Sequence, residues 1–410
     1  MQTILNLYRN AYGGLSPSSW MLALVMFINR SGSMVVPFLS VYLTQSLHFS
    51  LEQTGVILAI FGAGAMVGSL LGGWLSDWIG PFRVQFLSLM LGGGLLLLLA
   101  ALKTFPLLAA GVFAMSVTVE CLRPANTASV AYYARPENVT RSFSLNRMAV
   151  NLGFSIGPAL GGLLASIAYE WLFIADGVTC IAAGLFFYFY FRGKRRNPPA
   201  PAAEATDFEP APTRSPYRDP RFLAFIVFTT GYAIIFFQFF TTLPLYYRQV
   251  YGLSEAMIGL LLGFNGLLVF LFEMIVIHLI GRRPAFRLLV VLGTLLCGVS
   301  YGLLNLASGM GVLVLAMVLV TFSEIFAMPF MITFTINRAG EKHRGAYIGL
   351  YTLAYSVAFM LAPYLGTHLV AGYGFTTLWW AAAALSLPTA LGFFAVMRET
   401  PVAERVQKEA

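Results

Sequence analysis

Long apolar stretches follow one another along almost the whole chain, each bounded by Gly, Pro or charged residues. They do not alternate polar and apolar positions in the roughly ten-residue segments of a membrane barrel. About twenty apolar residues suffice to cross a hydrocarbon layer as a helix. Twelve segments meet that requirement, at 17–44, 51–79, 82–103, 105–134, 140–168, 170–192, 221–250, 253–281, 284–307, 309–338, 342–371 and 373–397. Several are longer than one crossing needs, so they are expected to tilt, bend or protrude.

The one long polar stretch, residues 193–220, is rich in Pro, Ala and charge and has no periodic apolar face, which is the pattern of a linker. It divides the chain into an N-terminal six-helix bundle (1–192), a linker (193–220), a C-terminal six-helix bundle (221–397) and a tail (398–410). The fold class expected is an all-α polytopic membrane protein. Composition agrees: over 410 residues 58% are hydrophobic and only 10% charged, with mean hydropathy +0.77. This excludes a cytosolic enzyme, a disordered chain and a nucleic-acid-binding domain. The net charge of +8 is a matter of topology. With both termini inside, 20 of the 25 Lys and Arg fall on inner segments, and only Lys103 and Arg248 on outer loops. Multi-pass placement in the inner or plasma membrane with cytoplasmic termini follows. The N-terminus carries no cleavable leader pattern, so the first span is expected to be retained. Cys121, Cys180 and Cys297 lie in apolar stretches without metal-ligand or disulfide spacing.

The halves echo one another at an offset of 204. Tyr42 matches Tyr246, Gln45 Gln249, Gly55 Gly259, Phe82-Arg83 Phe286-Arg287, and Glu120 Glu324. After span 2 comes Gly73-Trp-Leu-Ser-Asp77-Trp-Ile-Gly80-Pro81-Phe82-Arg83, and span 5 holds Gly153-Phe-Ser-Ile-Gly157-Pro158-Ala-Leu-Gly161-Gly162. With two parallel repeats of six spans, these resemble the major facilitator superfamily, in particular its proton-coupled drug antiporter branch. Of the loop signature Asp77, Gly80 and Arg83 carry over, while Pro81 and Phe82 replace its basic residues. The second-half counterpart, His278-Leu-Ile-Gly281-Arg282-Arg283, lacks the carboxylate. The span 5 run fits the family's antiporter signature at every defined position, which implies export by antiport. Physically, Gly153, Gly157 and Gly161 form a small-residue face that admits a neighbouring helix, and Pro158 bends the span.

Ionisable groups inside a bilayer are costly and usually functional. Arg30, Glu120, Arg123, Glu273 and Glu324 lie deep in their spans, whereas Asp176 and Arg147 lie nearer the ends. The resemblance puts Arg30, Glu120, Arg123 and Glu324 on cavity-lining spans 1, 4, 7 and 10. Glu120 and Arg123 share a face at i, i+3, and Arg30 lies at a similar depth, about 16 Å. Glu120 is therefore expected to act as an ion-pair anchor more than as a proton carrier. No Lys or Arg lies within a turn of Glu324 or Glu273 along the chain, which makes them the candidates to load and release a proton, Glu324 first. The substrate is expected at Arg30, Arg123, Tyr232, Phe236, Gln238 and Asn265, in a largely aromatic, adaptable pocket.

Gly62-x-Gly64-x-x-x-Gly68 lies inside an apolar helix and is packing, not a dinucleotide loop. The Asn138 sequon falls on an inner loop, and His48, His278, His343 and His368 are loop or interface residues. No nucleotide loop, triad or metal cluster is present, so the chain is expected to be no enzyme, to need no cofactor, and to draw energy from a proton gradient. The function expected is a proton-coupled exporter of amphipathic small molecules, monomeric in the bilayer and without nucleic-acid partners. The alternative is a proton-coupled importer of peptides or other zwitterions, and a third is a non-transporting receptor or scaffold.

Overall fold

The structure, a computed structural model, describes residues 14–135, 139–194, 215–280, 286–339 and 344–397. Every regular element among them is helical. Eleven helices are long and apolar enough to cross a membrane. The last, Arg344–Val396, is broken at Gly374, whose φ of 81° lies where glycine alone is unstrained. It supplies spans 11 and 12, so the twelve expected crossings are present.

Local chemistry explains where the helices start and stop. Span 2 (Leu51–Ile79) opens on a capping box between Ser50 and Gln53 and closes at Gly80, whose φ is 88°. Pro81 then occupies the first turn of span 3 (Pro81–Leu99), so one glycine and one proline turn the chain around. Span 7 starts the same way. The Asp219 carboxylate accepts the Phe222 amide, and Pro220 opens the helix.

Three spans are broken, and each break lies a few residues before a proline. Span 1 comprises Pro17–Ser31, Val35–Val41 and a π turn at Tyr42–Ser46, ahead of or around Pro37. Span 4 comprises Phe105–Glu120 and Leu122–Tyr133, with Pro124 just past the break. Span 7 comprises Pro220–Thr241 and Leu243–Gln249, with Pro244 in its second part. A proline has no amide to give the carbonyl four residues back, and its ring crowds that carbonyl. Spans 5 (Val139–Ala165) and 10 (Met310–Arg338) carry Pro158 and Pro329 inside continuous helices.

Contacts group the chain into two compact units. The first holds the six first-half spans together with Phe237–Leu271 and Phe359–Gly372, and the second holds the remainder of the second half. Leu22, Met26, Leu89, Leu122, Phe187 and Phe191 form a core of the first unit among spans 1, 3, 4 and 6. In the second unit Phe222 meets Tyr347 at 4.4 Å, Phe225 meets Phe334 at 4.6 Å, and Tyr301 stacks on Trp379 at 5.0 Å. Leu70, Ile167 and Leu391 are exposed large apolar side chains, as lipid-facing positions are.

Candidate functional site

In the first unit the break of span 4 separates an acid from its base by one turn. Glu120 pairs with Arg123 at 3.3 Å; the glutamate side chain is 14% exposed and the arginine 62%. Arg30 ends the first segment of span 1 and lies over the Phe154 ring at 5.3 Å. It is within electrostatic reach of Glu120, Arg123 and Asp176. Its Nε is buried and has no hydrogen-bond partner among the described residues. The fold thus gathers Arg30, Glu120 and Arg123.

Asp176, placed near the end of span 6 by sequence, is buried against the break in span 1. The Met34 amide donates to its Oδ2 at 3.3 Å, and the Cys180 thiol faces its Oδ1 at 3.7 Å. Asn29 in turn donates to the Cys180 sulfur at 3.2 Å. The carboxylate therefore replaces a helical acceptor where span 1 is interrupted.

The glycine run of span 5 serves two neighbours. On one face, a Cβ built on Gly153 would stand 2.6 Å from the Cβ of Arg30, one on Gly157 3.0 Å from the Arg30 carbonyl, and one on Gly161 3.0 Å from the Cβ of Met34. On another face, side chains at Gly162 and Gly259 would collide with the carbonyls of Glu255 and Pro158. A Cβ on Gly266 would stand 3.0 Å from the Ser155 Cβ, and Asn265, beside it, is buried. Spans 2 and 11 meet as closely: a side chain at Gly55 would strike Thr367, and one at Gly62 would press on the Met360 backbone. Phe359 packs its ring against Phe61 at 5.6 Å and Phe237 at 4.9 Å. Gln238 donates to the Ala362 carbonyl at 2.9 Å and accepts from the Thr242 hydroxyl at 2.7 Å, so its amide is occupied at both ends in tying span 7 to span 11. Asp77 and Arg83 are exposed on either side of the Gly80 turn.

The second unit contains an aromatic and hydroxyl-rich cluster. Tyr232 is buried and shares a hydrogen bond with the Ser323 hydroxyl at 3.2 Å, and Phe236 stacks on it at 6.1 Å. Glu324, next to Ser323, is half-buried and within electrostatic reach of Tyr232, Tyr355 and the Cys297 thiol. Tyr351 packs against Tyr355 at 5.1 Å. Glu273 is buried in span 8. Both glutamates have further interactions in the folded protein.

At the other end of these spans Asp219 forms a bidentate pair with Arg338, at 2.6 and 2.7 Å, and accepts the Tyr347 hydroxyl at 3.0 Å. Burial acts upward on this carboxyl. The bonds from Arg338, the Phe222 amide and Tyr347 outweigh it and hold its pKa below the ordinary value. The cluster is not legible along the chain, although Asp219-Pro220 is a recognisable helix start. Arg282, Arg283, His343, the Asn138 sequon, residues 195–214 and the tail lie outside the described residues.

The chain is similar to known proteins along most of its length. The profile of the Major Facilitator Superfamily matches residues 20–363. An uncharacterized MFS-type transporter of Bacillus subtilis, YttB, is 26% identical over 87% of this chain and 89% of its own. A Na(+), Li(+), K(+)/H(+) antiporter of Planococcus maritimus is 25% identical over 85% and 88%. The quinolone resistance protein NorA of Staphylococcus aureus is 25% identical over 37% and 38%. Among solved structures, a POT family transporter in complex with 5-aminolevulinic acid superposes with a TM-score of 0.75 at 16% identity, over 94% of this chain and 98% of its own. The nucleoside transporter NupG gives 0.75 at 15% identity, over 93% and 100%.

Proposed function

The chain belongs to the Major Facilitator Superfamily and is a membrane transporter, not an enzyme; we propose that it exports amphipathic small molecules in exchange for protons, by alternating access. The observation that carries this reading is the placement of Glu324. It follows Ser323 in span 10 and lies within electrostatic reach of Tyr232 and Tyr355, and Tyr232 bonds Ser323 and stacks on Phe236. A half-buried carboxyl beside a tyrosine-rich cluster can change protonation as its surroundings open and close, and an apolar wall accepts varied substrates. Glu120, by contrast, is held by Arg123 and suits an anchor. The antiport direction is supported by the span 5 glycine run and by the names of the antiporter and quinolone-resistance relatives.

In this proposal the halves 1–192 and 221–397 rock about the linker in the inner or plasma membrane, the protein acts as a monomer with cytoplasmic termini, and the proton gradient replaces any cofactor. The second reading, import of zwitterions, is favoured by one feature: the buried Arg30 Nε has no hydrogen-bond partner among the described residues and could receive a substrate carboxylate. Reconstituted vesicles with an imposed pH gradient distinguish the two. Proton-driven movement of a lipophilic cation away from the inner face, measured with a pH-sensitive dye, is expected. Acidification driven by dipeptides, with no cation movement, would replace this proposal with the importer.

A further inference from the structure

Polar side chains from the end of span 1 and from the connections between spans 3 and 4, 5 and 6, and 7 and 8 form one chain of contacts within the first unit. The connection between spans 5 and 6 supplies two adjacent residues that face in different directions. Glu170 pairs with Lys103 at 2.6 Å, and that ammonium also reaches the Tyr42 hydroxyl at 3.4 Å. Tyr169, whose ring lies 5.8 Å from Tyr42, donates instead to Glu255 Oε1 at 2.6 Å. Arg248, from the end of span 7, holds the same Oε1 at 3.4 Å and donates to the Leu253 carbonyl at 3.1 Å. Lys103, Glu170, Tyr42 and Tyr169 come from the first half of the sequence, whereas Arg248 and Glu255 come from the second.

The two ends of this chain differ in what they join. Lys103–Glu170 ties the first half to itself. Tyr169–Glu255 ties the first half to the second, immediately beside the close approach of Gly162 and Gly259, where spans 5 and 8 meet backbone to backbone. The Glu255 side chain is 10% exposed and Arg248 32%, so the bond is largely shielded from water. A bare glycine seam has little directional hold of its own; it depends on contact area and separates once tilted. A hydrogen bond between a phenol and a carboxylate fixed by an arginine supplies direction at the rim of that seam.

We propose that Tyr169, Glu255 and Arg248 form a latch that holds the outer seam shut, with Arg248 positioning the carboxylate and Tyr169 closing on it. The latch rests on the alternating-access reading above and specifies where opening toward the outside is resisted. These are positioning residues: they act on the balance of states, not on the substrate.

The test uses the full chain with Cys121, Cys180 and Cys297 replaced by serine and Ser155→Cys as reporter in the seam. Labelling by a membrane-impermeant maleimide from outside is measured in vesicles. Tyr169→Phe, Glu255→Gln and Arg248→Gln are each expected to raise the labelling rate about tenfold or more, the size of one charge-assisted hydrogen bond. Lys103→Gln, which breaks a more exposed pair inside one half, is expected to leave it unchanged. If the parent labels slowly and all three latch variants label at the parent's rate, the latch is wrong while alternating access stands. If the reporter thiol never labels in any variant of a protein that still transports, the seam does not open and both fall.

Discussion

Glu324 and Glu120 occupy matching positions in the two halves, yet their neighbourhoods give them different work. Glu120 pairs with a guanidinium one turn away, and Glu324 lies within electrostatic reach of Tyr232 and Tyr355. Glu324→Gln is expected to abolish gradient-driven transport, by roughly tenfold or more, while exchange of substrate between equal pools continues; proteoliposome flux with and without a pH gradient measures both. Asp219 illustrates a different use of a carboxylate. Its pKa is lower folded than unfolded, so its stabilising pair is fully present above the unfolded value, near pH 4, and is lost as pH falls through the folded one. Thermal stability of the purified protein should therefore drop below about pH 4. Arg338→Ala should shrink that acid-dependent drop and lower stability at neutral pH by about 2 kcal/mol. The residues of this pair are 119 positions apart, and Asp176 and Met34 are 142 apart. Only folding brings them together, which is why the Glu120–Arg123 pair is visible in the sequence and these are not.

At the scale of elements, helix ends were legible because their causes are local. Gly80-Pro81 turns span 2 into span 3, and Gly374 separates spans 11 and 12 close to the expected gap at 372. The interruptions of spans 1, 4 and 7 are also written in the chain, as Pro37, Pro124 and Pro244. What could not be read was the partner of each small-residue face. Gly153, Gly157 and Gly161 share a face at four-residue spacing, but nothing local says that span 1 lies on it or that span 8 lies on Gly162. Gly259→Val should disfavour the closed arrangement of spans 5 and 8 by roughly 1–3 kcal/mol, because its branches would meet the Pro158 carbonyl. The expected readout is a fall in maximal transport rate of about tenfold at unchanged membrane expression; unchanged transport would show that the seam yields more easily than its spacing implies.

At the scale of the molecule, the sequence divides at the linker, while contacts assign Phe237–Leu271 and Phe359–Gly372 to the unit built on the first six spans. All of these segments lie toward the same side as Lys103 and Tyr169 along their spans. A transporter that alternates must part them again. Ser155→Cys with Gly266→Cys should therefore form a disulfide once the two helices ease apart, since the Cβ separation of 3.0 Å has to open by about 0.8 Å and the built Gly266 Cβ stands 2.7 Å from the Ser155 Cα. Oxidation is expected to stop transport and reduction to restore it, with the reduced double variant and the Ser155→Cys single variant as the reference fluxes. Transport persisting after complete cross-linking would mean that spans 5 and 8 stay together throughout the cycle.

If the latch opens as proposed, Tyr169 and Glu255 also define a surface that exists only while it is closed. An antibody fragment raised against this rim would recognise loops contributed by both ends of the polypeptide, and its epitope would vanish as soon as they separated. Such a fragment would be a conformational probe and an inhibitor at once, blocking the carrier at its rim without entering its substrate pathway.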